Sequence, residues 1–443
     1  MTRGLAPLSA LQTAAAIRAG ETTALAECEA AIARIEVGDG EINAVVVRDF
    51  DRARAAARAL DAAGPGDPSD QPLFGVPMTV KESFDVAGLA TTWGYPEHAD
   101  HHPAADAMAV RRLRRAGAVI LGKTNVPPGL ADIQANNPIH GRTLNPHDPE
   151  RVSGGSSGGA AAALAAGYVP LEIGSDIGGS IRTPAAFCGV WGHKPTFGAL
   201  AMDGHLFPRT TDPRTVLSVI GPMARDPRDL AAALDVLSDL PLPRAVPREP
   251  REYRVAILPE HPLARAARDV RAAVERVGGA FADANARVEH AADALPDLAR
   301  QQEDYIRMLL AAMARGEAPA GTPPLTPARW AEMRAAQGRS MRAWMRFFDR
   351  FDILVAPCWG TTAFRHDDTP MAQRTLDVDG EVTPFGAQLA YPGLATYPNL
   401  PATSVPIGRD ADGLPVGVQV IAAPYLDHNA IAAASLAHDL TRS

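Results

Sequence analysis

The sequence predicts an α/β fold, one large domain built on a layered sheet, and three observations carry that prediction. Strand, helix and strand signals follow one another over residues 73–122, the order that builds a helix-covered sheet. Apolar, strand-like pieces return late in the chain, at Ile353-Leu354-Val355, residues 402–407 and residues 416–421. The two loop-forming stretches, residues 64–72 and the Pro-rich 241–250, separate pieces that each lack a complete sheet, so residues 1–443 read as a single domain.

Each element has its own signal. Residues 9–60 read as helical, with apolar residues at helical spacing among Ala, Arg and Glu, interrupted by a Val45-Val46-Val47 strand. Within residues 73–86, Val76, Met78 and Val80 alternate with other residues, which makes a strand and sets Lys81 at its end. Residues 106–116 form a helix and Val119-Ile120-Leu121-Gly122 a buried strand. Residues 253–350 are mostly helical, and the last helix there begins at Thr326 as N-cap with Pro327 in its first turn. That helix sets Trp330, Met333, Met341, Trp344, Met345 and Phe348 on overlapping faces. Core packing is the plainer reading of such a stripe; the wall of a substrate pocket is the alternative.

Composition narrows the function. The formal charge of −8 on 443 residues, with no block of consecutive Lys or Arg, removes the counterion-release attraction that draws proteins to nucleic acid. The 38 glycines and 39 prolines sit among Ala, Val and Leu rather than in polar tracts, which marks a folded, loop-rich protein. Cys28, Cys188 and Cys358 lie far apart without a CxxC spacing, so neither a disulfide framework nor a structural zinc site is expected, and a reducing cytoplasm fits. Pro7, Ser9, Gln12, Thr13 and Arg18 break up the N-terminal apolar stretch, which is not read as a signal peptide. Glycines through residues 152–171 and prolines through residues 382–408 rule out membrane-spanning helices there. His98, His101 and His102 fall in a Pro-bounded loop without further ligands in view, and no metal is expected on them.

The chemistry concentrates in residues 153–196. Gly154-Gly155-Ser156-Ser157-Gly158-Gly159 runs into Ala160–Ala166, a strong helix former closed by Gly167, which puts Ser156 and Ser157 at a helix N-terminus. Further on, Asp176-Ile177-Gly178-Gly179-Ser180-Ile181-Arg182 places a serine after two glycines, a backbone able to turn consecutive N–H groups into one cavity. Alone, that tripeptide reads as a tight turn with a surface serine. The Gly154-Gly155-Ser156-Ser157-Gly158 match to a nucleophile elbow fails because the preceding residues, 145–151, are polar and hold two prolines where a buried strand is required.

Taken together, these motifs resemble the amidase signature family of serine amidohydrolases. The likeness is close over residues 73–196, looser over residues 221–237, and resumes over residues 399–419 in Leu-Pro-Ala-x-Ser-Val-Pro and Gly-Leu-Pro-Val-Gly-x-Gln. It implies a central mixed sheet covered by helices on both faces, with a signature region at about residues 73–237, a pocket-forming segment at about 253–350 and returning strands at about 351–437. It implies a triad of Lys81 in VPMTVKESFDV as base, Ser156 of GGSSGG in a cis peptide as proton shuttle, and Ser180 of DIGGSIR as nucleophile; the 24-residue step between the serines agrees with the family pattern. The N–H groups of Ile177, Gly178, Gly179 and Ser180 become the oxyanion hole, with Ser157, Asp176 and Arg182 holding the loop. The implied substrate is a small-molecule amide, and no metal or organic cofactor is called for. A homodimer is left open.

A lysine with an ordinary pKa is neutral only about once in 2,500 at pH 7, so this chemistry demands that Lys81 be desolvated. Two departures from the family pattern point to a reshaped pocket: Pro127-Pro128-Gly129 replaces an acidic residue followed by Phe, and Trp191 and His193 replace smaller or aliphatic residues. A stand-alone amidase is the first functional reading. The glutaminase subunit of a tRNA-dependent amidotransferase is the second, although residues 241–349 lack the arginine segment associated with it. A non-catalytic binding protein ranks third, because all three triad positions are filled.

Overall fold

The computed structural model describes residues 7–210, 216–290, 294–314 and 325–442. Its centre is an eleven-stranded sheet. From one edge to the other run Val45–Arg48, Val119–Thr124, Pro77–Lys81, Leu171–Asp176, Val219–Ala224, Trp191–Lys194, Ala402–Arg409, Pro415–Ile421, Ile353–Pro357, Arg254–Ile257 and Arg287–His290. Parallel pairs flank Pro77–Lys81 on both sides and recur at the far edge, while the middle of the sheet is antiparallel. The sheet is therefore mixed, and it draws strands from both ends of the sequence into one domain.

Side-chain alternation along the strands builds a core on each face. Ile120 packs on one side with helices Met108–Arg115, Pro227–Leu237, Arg268–Asp283 and Asp427–Leu440. Val119 and Leu121 pack on the other with helices Ala24–Ile42, Phe50–Ala63 and Gly158–Ala165. At the opposite end Ile353 and Val355 join the first core, whereas Leu354 and Ala356 meet Trp344, Phe347 and Phe348 of helix Pro327–Phe348. That helix starts as the sequence predicts, with the Thr326 hydroxyl accepting from Arg329 N. Its aromatic stripe divides: Trp344 and Phe348 enter the core, Met345 is exposed, and Trp330 reaches a cavity.

Two strands, Arg254–Ile257 and Arg287–His290, lie within the segment read as mostly helical. Each has four residues, and the second carries only one apolar side chain, too little for a periodic signal. Among the described residues, no helix is long and apolar enough to cross a membrane.

Candidate active site

Lys81 is the last residue of the Pro77–Lys81 strand and is wholly buried. Its Nζ lies 2.6 Å from Ser156 Oγ, 2.9 Å from Ser157 Oγ and 2.9 Å from Ser175 Oγ. Burial brings the ammonium down to about 7, although the Asp176 and Glu172 carboxylates pull the other way. The hydrogen atoms can be assigned. Ser157 Oγ donates to the Ser175 carbonyl at 3.3 Å and so must accept from Lys81. An uncharged amine then has one more N–H for Ser175 and a lone pair facing Ser156, whose O–H can donate to it.

The local sequence explains how two serines reach one lysine. A Cβ on Gly154 would stand 2.5 Å from Pro184 Cα, and one on Gly155 2.5 Å from the Asp132 carbonyl, so no side chain fits in the approach to Ser156. The Gly155–Ser156 peptide is cis. Ser157 takes the N-cap position of helix Gly158–Ala165, but its hydroxyl makes no capping bond and turns to Lys81 instead. The residues before this turn form a small hairpin, Leu144–Asn145 with Asp148–Val152, outside the main sheet.

Ser180 follows a loop held from three directions. Asp176 accepts from Gly179 N, Ile181 N and the Arg182 guanidinium, the last at 2.8 and 3.1 Å. Burial would raise the Asp176 carboxyl, but Arg182 and these donors hold it at about 2. Arg182 is itself buried and reaches the Pro392 carbonyl, Gln419 Oε1 and Thr396 Oγ1. Tyr305 Oη donates to the Ile177 carbonyl at 2.8 Å, and Thr183 N to the Gly179 carbonyl at 2.7 Å. In a trans peptide the N–H points opposite its carbonyl, so the Gly178 N–H is aimed away from Tyr305 and the Ser180 N–H away from the helix that follows. The N–H groups of Ile177, Gly178 and Ser180 have no acceptor among the described residues. Gly179 departs from the expected oxyanion set: its N–H is committed to Asp176 Oδ1 at 2.9 Å.

Ser156, Ser175 and Ser180 line one cavity of about 450 Å³. Lys81 and Ser156 are in direct contact, whereas no hydrogen bond joins Ser180 Oγ to Ser156 among the described residues. The cavity walls are aromatic and aliphatic, with Trp93, Leu130, Phe207, Val216, Met313 and Trp330 prominent. Gly129 and Leu130 bring the departing 127–129 segment into that wall. Trp191 and His193 do not reach it: Trp191 packs against His438 at 5.3 Å, and His193 bonds Thr403 and Asp427 in the core.

Sequence reasoning does not single out Ser175 or Tyr305. Ser175 sits directly before Asp176 in the motif, and its place one residue from the strand's end is the available signal. Tyr305 comes from a helix 128 residues away, which no local pattern reports.

A sheet that delivers a buried lysine to two glycine- and serine-rich turns defines a class, the hydrolases of amide carbon–nitrogen bonds. Residues 27–319 and 315–431 match the amidase family. The chain is 34% identical over 463 residues to the AtzE component of 1-carboxybiuret hydrolase from Pseudomonas sp. (strain ADP), covering 96% of each. It is 32% identical over 457 residues to the indoleacetamide hydrolase of Bradyrhizobium diazoefficiens, covering 96% of this chain and 85% of that one. A glutamyl-tRNA(Gln) amidotransferase component from Roseiflexus castenholzii is 34% identical, covering 94% of this chain and 92% of its own. A solved amidase structure superposes with a TM-score of 0.80 at 27% identity, over 98% of this chain and 99% of the other. The chain belongs to the amidase signature family.

Proposed function

We propose that the chain hydrolyses an uncharged amide with an apolar or aromatic substituent to a carboxylate and ammonia or an amine, through an acyl-enzyme on Ser180. The observation that carries this reading is the buried Lys81–Ser156 contact on the rim of the cavity that Ser180 lines. Neutral Lys81 accepts the Ser156 proton while Ser156 accepts that of Ser180, whose Oγ attacks the carbonyl carbon. The negative oxygen falls to the N–H groups of Ile177, Gly178 and Ser180, each such donor being worth about 2.7–4 kcal/mol of barrier. On collapse, Ser156 returns a proton to the leaving nitrogen and is recharged by Lys81. Water, activated by the same relay, releases the acid. Catalysis runs on side chains and backbone alone, so the reading calls for no metal or cofactor, and three buried thiols suit a reducing cytoplasm.

The cavity wall supports the substrate class. None of the described lining side chains is charged, whereas glutamine brings an ammonium and a carboxylate that both need partners when desolvated. This weighs against the glutaminase-subunit reading. The test is labelling with a fluorophosphonate, located by mass spectrometry, beside hydrolysis of an aryl and alkyl amide panel and of glutamine. The adduct is expected on Ser180, with labelling slowed sharply by Lys81→Ala or Ser156→Ala, and aryl amides preferred. An adduct elsewhere, or turnover of glutamine alone, would reject it.

A further inference from the structure

One buried carboxylate takes no part in the relay just described, although it directly follows Lys81. Glu82 has no exposed surface, and its side-chain hydrogen bonds all go to one turn. Oε1 accepts from Thr92 N and, at 2.8 Å, from Thr92 Oγ1, while Oε2 accepts from Trp93 N at 3.0 Å. The Thr92 hydroxyl accepts in turn from Gly94 N at 3.0 Å. Lys123, on strand Val119–Thr124, fastens the residues just before, donating to the Ala90 carbonyl and, at 2.9 Å, to Thr91 Oγ1.

What this turn holds is Trp93. Its φ of 52° lies in the left-handed region, which a bulky side chain seldom enters and keeps only where the surroundings fix it. The indole is tied as well: Nε1 donates to the Ser83 carbonyl at 3.2 Å, and the ring meets His205 at 5.3 Å and, edge on, Phe207 at 5.7 Å. Gly129 N donates to the Trp93 carbonyl at 2.8 Å, and a Cβ on Gly94 would stand 3.0 Å from Pro128 N. The turn is thus pressed onto the segment that carries Leu130 into the cavity. Backbone and ring are fixed independently, so neither can swing aside. Trp93 shares the cavity with Ser156 and Ser180. Met313 in the same wall has an unbranched chain that can adjust to a guest; the indole has no such freedom, and a wall that cannot give way selects by shape.

We propose that Trp93 is the specificity-determining residue of this cavity and that Glu82 is the positioning residue that aims it. Together they restrict the substituent of the amide to a flat, aryl-sized group packed along the indole, and they shut out globular ones. Glu82 is not part of the cavity lining and acts through the Thr92–Trp93 main chain.

The proposal rests on the reading of the cavity as the amide site, and the experiment separates the two. Both kcat and KM are measured on benzamide and on adamantane-1-carboxamide for wild type, Trp93→Ala, Trp93→Phe, Glu82→Gln and Ser180→Ala, and the ratio of kcat/KM between the two amides is compared. The wild type is expected to favour benzamide by about 100-fold, the scale on which a fixed apolar pocket discriminates. Trp93→Ala is expected to move the ratio about 100-fold toward the adamantane amide, and Trp93→Phe to hold it within about threefold of wild type. A glutamine at 82 has one oxygen where two are needed, so either Thr92 N or Trp93 N loses its acceptor. Glu82→Gln is therefore expected to move the ratio about tenfold the same way, through KM rather than kcat. A Trp93→Ala ratio equal to that of wild type, whatever happens to the rates, overturns the specificity role. A Glu82→Gln enzyme slowed on both amides alike, with its ratio unmoved, overturns the positioning role. If Ser180→Ala abolishes turnover, either result counts against the proposal alone; a Ser180→Ala enzyme at the wild-type rate overturns the reading of the site and the proposal with it. Should Glu82→Gln fail to fold, Thr92→Val replaces it, removing the hydroxyl that joins Glu82 to Gly94 at nearly constant shape. The same direction of shift is expected, and an unmoved ratio refutes the positioning role.

Discussion

Replacing Lys81 by Met is expected to make the protein more stable while destroying its activity. The unfolded chain binds a proton at Lys81 up to the ordinary value of 10.5, the folded chain only up to about 7. Between those values the unfolded state holds more protons, so this group makes stability rise with pH across the window and applies its full penalty at and below its lower end. The gap of about 3.5 units corresponds to about 5 kcal/mol. Against that stand three hydrogen bonds, to Ser156, Ser157 and Ser175, at about 1 kcal/mol each. Methionine matches the unbranched stem and asks for no solvation, so a net gain of about 2 kcal/mol is expected at pH 7. Urea denaturation of both proteins at pH 7 and at several points up to pH 10 measures it. The advantage should shrink steadily as pH rises. A variant less stable at pH 7, or an advantage that does not change across the window, would refute the claim that folding strips this lysine of water.

Other consequences follow from the loop that carries Ser180. Asp176→Asn leaves the Arg182 cation buried with no carboxylate and is expected to lower unfolding free energy by about 3–5 kcal/mol in denaturant titration. The wild type should lose a smaller contribution, about 2.5 kcal/mol, and only in acid, as pH falls from 3.8 to about 2. Tyr305→Phe frees the Ile177 carbonyl and lets the Gly178 N–H turn; kcat should fall about tenfold with KM little changed, since in the proposed mechanism that N–H serves the transition state.

What the sequence reveals follows the reach of each signal. Alternation at Val76, Met78 and Val80 is enough to end a strand at Lys81, and glycines around Ser156 and Ser180 are enough to locate two tight turns. Both signals are local. The cavity wall is not: Trp93, Phe207 and Trp330 meet from three distant segments, and each alone looks like core. The same limit explains Trp191 and His193, whose unusual identities suggest the pocket but whose strand faces the core beneath helix Asp427–Leu440. Gly179 leaves the expected oxyanion set for a subtler reason. A glycine turn shows that N–H groups converge, but which one a neighbouring carboxylate captures depends on side-chain torsions that residue identity does not encode. Glu82 reads as one acidic residue after a strand, and only the folded chain returns residues 92 and 93 to its carboxylate.

The proton affinity of Lys81 is a packing property before it is an electrostatic one. The charges nearest Lys81, Asp176 and Glu172, both favour the ammonium, so charge alone would produce an ordinary, protonated lysine. What overrides them is the seal above it. Helix Gly158–Ala165 is buried all round, from Ala160 to Leu164, and begins with glycines whose missing side chains let it descend. A Cβ on Gly159 would stand 2.3 Å from Asn125 N. Small residues bring the helix onto the strands, exclude water from the amine and leave room for the serine turn at its N-terminus. The same run of Gly, Ser and Ala that looks featureless by composition thus performs two tasks at once, presenting the hydroxyls and drying the amine that deprotonates them in the proposed relay.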